Sequence, residues 1–316
     1  MNIRLLQHFA TVAETLNFRH AAELMNLSQQ AISKSIMQLE RQLGVRLLDR
    51  SRHGVVLTEA GRRILPFALD VVASARRLEN TVANVASNQS ETISVGATPT
   101  FLESILPEVL DRFSTAFPRI RITIERGDFA SLSGAMARGD LDLILSTAPA
   151  QIPRHLVKAA VIGQDHNVIV ARPGHPLAGK AEVRCAELLD YPHIATINYP
   201  RGADFVTALF ASEALHPPPP AMTIGSTSLA HQRLSNTNSW WVTPQLLVLR
   251  QINAGVLVTL PTPGAVDRWD LIMATRRHAV ISQAVIAFQQ MVEESLIGCN
   301  VRTAISSHAS RAGGEA

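Results

Sequence analysis

The first sixty residues carry a short helix, a turn, a second helix and a charged hairpin in that order, and few folds accommodate this succession. Phe18-Arg19-His20-Ala21-Ala22-Glu23-Leu24-Met25 reads as the first helix, with Ala21, Ala22 and Leu24 turned inward and Arg19 and His20 outward. Asn26-Leu27 makes the turn. Ser28 then caps the next helix, because its hydroxyl can accept from a free N–H of the first turn. Ile32, Ile36, Leu39 and Leu43 recur at the spacing of one buried helical face. The opposite face presents Gln29, Gln30, Ser33 and Lys34, whose amides and hydroxyls can read base edges, although a polar outer stripe is also what any surface helix shows. From Val45 to Leu57 the chain reads as two short strands around a basic tip with Arg50, Arg52, His53 and Gly54, suited to lie along phosphates. Residues 1–58 thus form a winged helix-turn-helix, with Arg19, Ser28, Gln29, Gln30, Ser33, Lys34, Arg50, Arg52 and His53 as candidate DNA contacts.

Charge follows the same division. Residues 1–90 hold eleven Lys and Arg against seven Asp and Glu, whereas the remainder is close to neutral, which agrees with a polyanionic partner at the head.

Thr58 caps a long linker helix within 59–90. Ile64, Ala68, Val71, Ala75, Leu78, Val82 and Val85 alternate steps of four and three, the repeat of a coiled-coil seam, so this helix is expected to pair two chains. The alternative is one amphipathic helix packed on its own domain. Pro66 falls near the start and is expected to kink the first turns without ending the helix.

From Thr92 onward, short apolar runs alternate with helical stretches: Ile93 to Gly96, a helix over 101–117, Ile120 to Ile124, a helix near 130–138, and Leu141 to Leu145. The pattern restarts at Asn167 to Val170 and runs to Leu257 to Leu260, before a strand from Trp269 to Ala274 and a helix over about 280–295. This predicts a two-lobed α/β domain over 91–300 with doubly wound, largely parallel sheets. Lobe 1 takes about 91–163 and 267–300, and lobe 2 about 164–266. Ligands of open α/β sheets settle beyond the carboxyl ends of the strands, which points to the loop holding Thr98 and Thr100, to Ser146 and Thr147, and in lobe 2 to Asn198, Arg201, Ser226 and Thr227. Thr100 with Glu103 has capping-box spacing, and Arg201 could clamp a carboxylate. Trp240 and Trp241 read as interlobe or core packing, and residues 301–316 as a disordered tail.

Cys185 and Cys299 are far apart and no Cys/His cluster has zinc spacing, so no metal or disulfide is expected; a peroxide-sensing pair is the less favoured alternative to buried or incidental thiols. No apolar run approaches the roughly twenty residues that span a bilayer, and no signal peptide is apparent, which implies a soluble cytoplasmic protein. Gly-x-Ser-x-Gly, phosphate-loop and His-Glu-x-x-His patterns are missing, which argues against an enzyme.

Residues 1–61 resemble the amino-terminal domain of LysR-type transcriptional regulators, on Ala21-Ala22, Leu27-Ser28-Gln29, Ala31-Ile32-Ser33, Ile36, Leu39-Glu40, Leu43-Gly44, Leu47, Arg50 and Leu57-Thr58-Glu59-Ala60-Gly61. The resemblance implies a periplasmic-binding-protein-like effector domain and promoter binding as a dimer or dimer of dimers. It also implies regulation by a small organic effector, with RNA polymerase as a further partner and no resident cofactor. It places a Ser or Thr that commonly holds an acidic or polar effector at Thr100. Three departures stand out. Gln30 replaces a frequent proline and adds a base-reading amide. Asp128 stands where relatives often have a hydroxyl, so either it turns away or the ligand offers a hydroxyl or a cation. Asn236 to Pro244 lacks the usual glycine-rich turn, which is similar to regulators of aromatic-acid or sugar-uptake operons. A DNA-binding repressor or architectural protein without effector switching is the competing reading.

Overall fold

The computed structural model describes residues 2–51, 54–86, 91–153, 156–263, 267–277 and 281–298. The head opens with a helix that the sequence reading passes over, α1 (Ile3–Thr15), whose Leu5, Leu6, Phe9, Val12 and Ala13 face the core. Asn2 caps it and Leu16, at φ 48°, ends it. Next come α2 (Phe18–Leu24) and α3 (Gln29–Leu43), capped by Asn17 and Ser28 respectively. Ile32, Ile36 and Leu39 are buried as the spacing predicts. Leu24 is not: it is 59% exposed, because α2 ends there and Met25 takes the place against the core, leaving Phe18, Ala21 and Ala22 as the inward face.

The wing is the antiparallel pair β1 (Leu48–Ser51) and β2 (Gly54–Leu57). It starts three residues later than expected, since Glu40 Oε1 accepts from the N–H of Leu47 at 2.8 Å and of Leu48 at 3.2 Å and ties this segment to α3. Arg52, His53 and the side chain of Arg50 lie outside the described residues.

Thr58 Oγ1 accepts from Gly61 N–H at 2.9 Å, as a cap should, and α4 (Glu59–Ala86) runs through Pro66 unbroken. The expected seam divides. Ile64 and Ala68, with Leu65 and Val72, pack into the head's own core because the first turns of α4 lie against α1. They are therefore unavailable to a partner chain. Further along, Val71, Leu78 and Val82 stay exposed, Ala75 is half-buried, and Phe67, 68% exposed, extends the open stripe. The side chain of Val85 lies outside the described residues.

Lobe 1 contains β3 (Thr92–Ala97), α5 (Pro99–Glu103), α6 (Leu106–Ala116), β4 (Arg121–Arg126), α7 (Phe129–Arg138) and β5 (Leu143–Thr147). The single helix expected over 101–117 is two, because Pro107 has no N–H to continue the ladder and the chain bends at Ser104. β6 (Val157–Ala171) then crosses into lobe 2, which holds α8 (Cys185–Leu188), β7 (His193–Thr196), α9 (Pro200–Ser212), β8 (Met222–Ile224), α10 (Thr227–Asn236), β9 (Trp240–Pro244), α11 (Gln245–Asn253) and β10 (Val258–Thr259). β11 (Arg268–Arg276) and α12 (Gln283–Gly298) return to lobe 1.

The strand order is β4-β3-β5-β11-β6-β9-β7-β8, with β10 also on β6. Pairing is parallel where β3 meets β4 and β5 and where β7 meets β8 and β9, but every pair formed by β6 or β11 is antiparallel. The sheet is thus mixed rather than largely parallel. The reason is that β6 serves both lobes: Val157–His166 pairs with β11, and Asn167–Val170 with β9. In each lobe apolar clusters line both sheet faces, under α5, α6 and α12 or α7 in lobe 1, and under α8 and α9 or α10 and α11 in lobe 2.

Candidate DNA-contacting face and interlobe cleft

On the head, Gln29, Gln30 and Lys34 project from the first turns of α3 and are exposed, while Ser33 is half-buried. Ser28 Oγ accepts from Ala31 N–H at 3.1 Å, so its own proton stays available to an acceptor such as a phosphate. Arg19 is exposed and pairs with Glu23 at 3.1 Å, a surface pair weak enough to be exchanged for a stronger anion. Helix start and wing lie on adjacent parts of one compact core, the arrangement that puts side chains on base edges and a hairpin on the backbone.

In the lobes, the carboxyl ends of β3, β4 and β5 bring loops together. Thr98 N–H donates to Leu145 O at 3.0 Å, and Gly127 N–H to Ala97 O at 3.3 Å. The first helix starts earlier than capping-box spacing predicts: Thr98 is the N-cap of α5, and Thr100 lies inside it, 7% exposed. Pro99 sets this start, since it fits the first helical position. Thr98 makes no side-chain cap bond, and its buried Oγ1 has no partner among the described residues. Ser146 is buried with Oγ–H donating to Thr147 O at 2.8 Å, and Thr147 is half-buried.

Asp128 turns onto its own helix. It caps α7 by accepting from Ser131 N–H at 2.8 Å, and that bond holds its carboxyl below the usual range. From lobe 2, Arg201 reaches across: its Nη2–H donates to Ala148 O at 3.2 Å, with the guanidinium 5.2 Å from the Trp269 ring centre. Asn198, at φ 57°, is exposed in the loop after β7. Ser226 caps α10 through Leu229 N–H at 3.4 Å, and Thr227 is the first residue of that helix. Burial holds His231 of α10 below its ordinary pKa, opposed by the Glu103 carboxylate of α5. Thr98 is thus tied to the end of β5, where Ser146 and Thr147 follow Leu145, and Arg201 is bonded to Ala148 just beyond them; Asp128 and Ser226 serve as caps.

The strand that joins the lobes, β6, carries a buried acid that no sequence motif marks as a site. Asp165, 3% exposed, stands opposite Trp269 across β6 and β11. Its Oδ1 accepts from His166 N–H at 2.8 Å and Leu246 N–H at 3.2 Å, its Oδ2 has no partner among the described residues, and burial pushes the carboxyl up to about 6. Beside it, Tyr199 O–H donates to Asn167 Oδ1 at 2.7 Å, and Asn167 Nδ2–H to Arg201 O at 3.3 Å. The signal was the polar run Asp165-His166-Asn167 inside an apolar strand. Trp240 and Trp241 are 0% and 2% exposed in lobe 2, as core packing requires. Cys185 is fully buried, and burial with the neighbouring Glu213 carboxylate pushes its thiol up to about 12, which disfavours the thiolate that peroxide chemistry uses. Cys299 lies outside the described residues.

Comparison with known proteins agrees with both halves of this geometry. Residues 3–62 match the bacterial regulatory helix-turn-helix proteins of the lysR family, and residues 86–297 the LysR substrate binding domain. The chain belongs to the LysR family of DNA-binding transcriptional regulators. The Hca operon transcriptional activator HcaR of Escherichia coli is 28% identical over 298 residues, 94% of this chain and 98% of that one. The SDS degradation transcriptional activation protein of a Pseudomonas species is 34% identical over 197 residues, 62% of this chain but only 64% of that relative's length. Among solved structures, full-length OxyR from Pseudomonas aeruginosa shares the fold at TM-score 0.55 and 23% identity, covering 93% of this chain and 98% of that one. Full-length CbnR complexed with its target DNA does so at TM-score 0.50 and 21% identity, covering 93% and 100%. No helix among the described residues is long and apolar enough to cross a membrane.

Proposed function

We propose that this regulator binds promoter DNA in the cytoplasm as a dimer or dimer of dimers, and alters its grip when a small organic acid enters the interlobe cleft. RNA polymerase is the partner through which the altered grip reaches transcription. The observation that carries this reading is the buried Thr98 hydroxyl, without a partner among the described residues, because such a group costs stability unless something completes it. Thr147 stands at the adjacent strand end and Arg201 on the facing lobe, and with Thr98 they make a donor set that fits a carboxylate bearing an aromatic or sugar-derived body. Pairing of chains uses Phe67, Val71, Leu78 and Val82, the exposed stripe of α4.

Two measurements test the reading. Arg50→Ala should weaken promoter binding and lower the slope of log affinity against log salt by about 0.9, one phosphate contact's worth, with an unchanged circular dichroism spectrum. An unaltered slope removes Arg50 from the interface. Thr98→Val should leave the melting temperature of the free protein equal or higher, and abolish the stabilisation that aromatic and sugar acids confer in a thermal-shift screen. A variant that still responds to those acids overturns the role of Thr98.

A further inference from the structure

Lobe 1 does not hang free of the head. The carboxyl end of α7 abuts both α1 and α4 of the same chain. Arg138 Nη1 reaches Glu14 Oε1 of α1 at 2.6 Å and its Nε reaches Asp140 Oδ2 at 3.0 Å; Asp140 Oδ1 in turn holds Arg76 Nη1 of α4 at 2.5 Å. Arg76 Nη1 also lies 3.4 Å from Arg138 O. These pairs are partly exposed, so alone they contribute little. Packing carries more weight. Gly139 closes α7 at φ 84° against Ala73 of α4, so tightly that a Cβ there would lie 2.8 Å from both Ala73 Cα and Ala73 Cβ. Ala73 is fully buried yet lies outside the head's core cluster; lobe 1 is what covers it. Gly134, one turn back, would put its Cβ 3.1 Å from Glu14 Oε1.

The other end of α7 is the Asp128 cap, at the loop that follows β4 beside the cleft. Between the ends, Phe129, Leu132, Ala135 and Met136 are buried against β5 and β11, so the helix moves with the lobe 1 sheet as one body. We propose that the Glu14–Arg138–Asp140–Arg76 chain and the Ala73–Gly139 contact form a clasp that fixes the winged head and linker helix to lobe 1. Through it, α7 passes a displacement at the cleft to the DNA-binding head. The proposal deepens the regulatory reading above and rests on it for its consequence, though not for its geometry.

The test uses the full-length chain with Cys299→Ser, spin-labelled at Gln38→Cys on α3 and Asp111→Cys on α6, both exposed, and diluted with unlabelled chain so that distances within one chain dominate. Cys185 is buried and stays unlabelled. The parent should give one narrow distance. Arg138→Glu, which sets three carboxylates together, and Ala73→Leu, which forces the helices apart without altering backbone preference, should each broaden or shift it. Adding Glu14→Arg to Arg138→Glu should narrow it again. In DNA titrations without labels, the two disrupting variants should lose about tenfold in affinity for the upstream DNA, since heads no longer held in place must be ordered on binding. A broad parent distribution, or distances unmoved in both disrupting variants, overturns the clasp. Shifted distances with unchanged DNA affinity overturn its role in transmission. If instead the parent protein does not distinguish upstream from random DNA, the regulatory reading fails while the distances still judge the clasp.

Discussion

Gly61→Ala is expected to unfold the head and abolish DNA binding while both lobes stay folded. A methyl group on Gly61 would stand 2.0 Å from Leu47 O, 3.0 Å from Leu47 C and 3.0 Å from Leu57 Cδ2. The first two are backbone atoms, and neither can swing aside. Leu47 is fully buried, its N–H is held by Glu40, and its carbonyl accepts from Thr58 N–H at 3.0 Å. Relief therefore means lifting the first turn of α4 off the segment that leads into the wing. That would also withdraw Ile64 and Ala68 from a core built largely by three short helices. Overpacking against fixed backbone costs about 3 kcal/mol, which in a domain of this size lowers the head's melting transition by roughly 10–20 °C. Gly54→Ala is the control: it sits at φ 121° with nothing within 4 Å of the added carbon, so it brings conformational strain but no collision. Differential scanning calorimetry with promoter binding at the growth temperature checks the result. A Gly61→Ala head that melts with the Gly54→Ala head would show that α4 does not rest on Leu47.

That collision explains why some of the fold was legible in the sequence and some was not. Local rules suffice where a helix repeats every three or four residues and starts on a serine, and Ser28, Ile32, Ile36 and Leu39 obeyed them. α1 obeys the same rule through Leu5, Phe9 and Val12 and could have been read. The α4 repeat was real, but periodicity states only that a stripe is apolar, not what covers it. The head's own core claims Ile64 and Ala68, and only the later part is left for a second chain. Likewise the strand at Asn167 to Val170 was visible as the end of β6, but its span across two lobes depends on pairing with β11 more than a hundred residues later. The cleft follows the same division. The loops were placed by strand ends, whereas Thr98 rather than Thr100 standing at the N-cap of α5, and the turning of Asp128 onto Ser131, depend on where each helix starts. The polar run Asp165-His166-Asn167 marked the place, but the raised carboxyl of Asp165 arises from burial beside Trp269 and α11, which only the folded chain supplies.

Trp240→Ala should have the opposite distribution of effects, melting lobe 2 and ending any response to organic acids while the head keeps its DNA affinity. Trp240 is fully buried, stacks on His193 with ring centres 4.1 Å apart, lies 6.2 Å from Phe210, and donates Nε1–H to Leu188 O at 3.0 Å and Tyr191 O at 3.1 Å. Removing a buried indole leaves a cavity and costs about 4 kcal/mol. Trp240→Phe keeps most of the volume but loses the two-carbonyl bond, so it should cost about 1–2 kcal/mol. A second readout separates this from general loosening. Burial lowers His193 to about 4, so the folded lobe refuses a proton that the unfolded chain accepts below its ordinary 6.5. Stability is therefore complete above about 6.5 and falls as the pH drops toward 4. Opening His193 to water in Trp240→Ala should flatten that fall. Asp165 acts in the opposite sense, since its raised carboxyl gives the folded state an extra proton between about 4 and 6. The difference between wild type and variant, rather than either profile alone, isolates the histidine. A wild-type-minus-variant stability that stays constant from pH 7 to pH 4 would mean that Trp240 does not keep His193 dry.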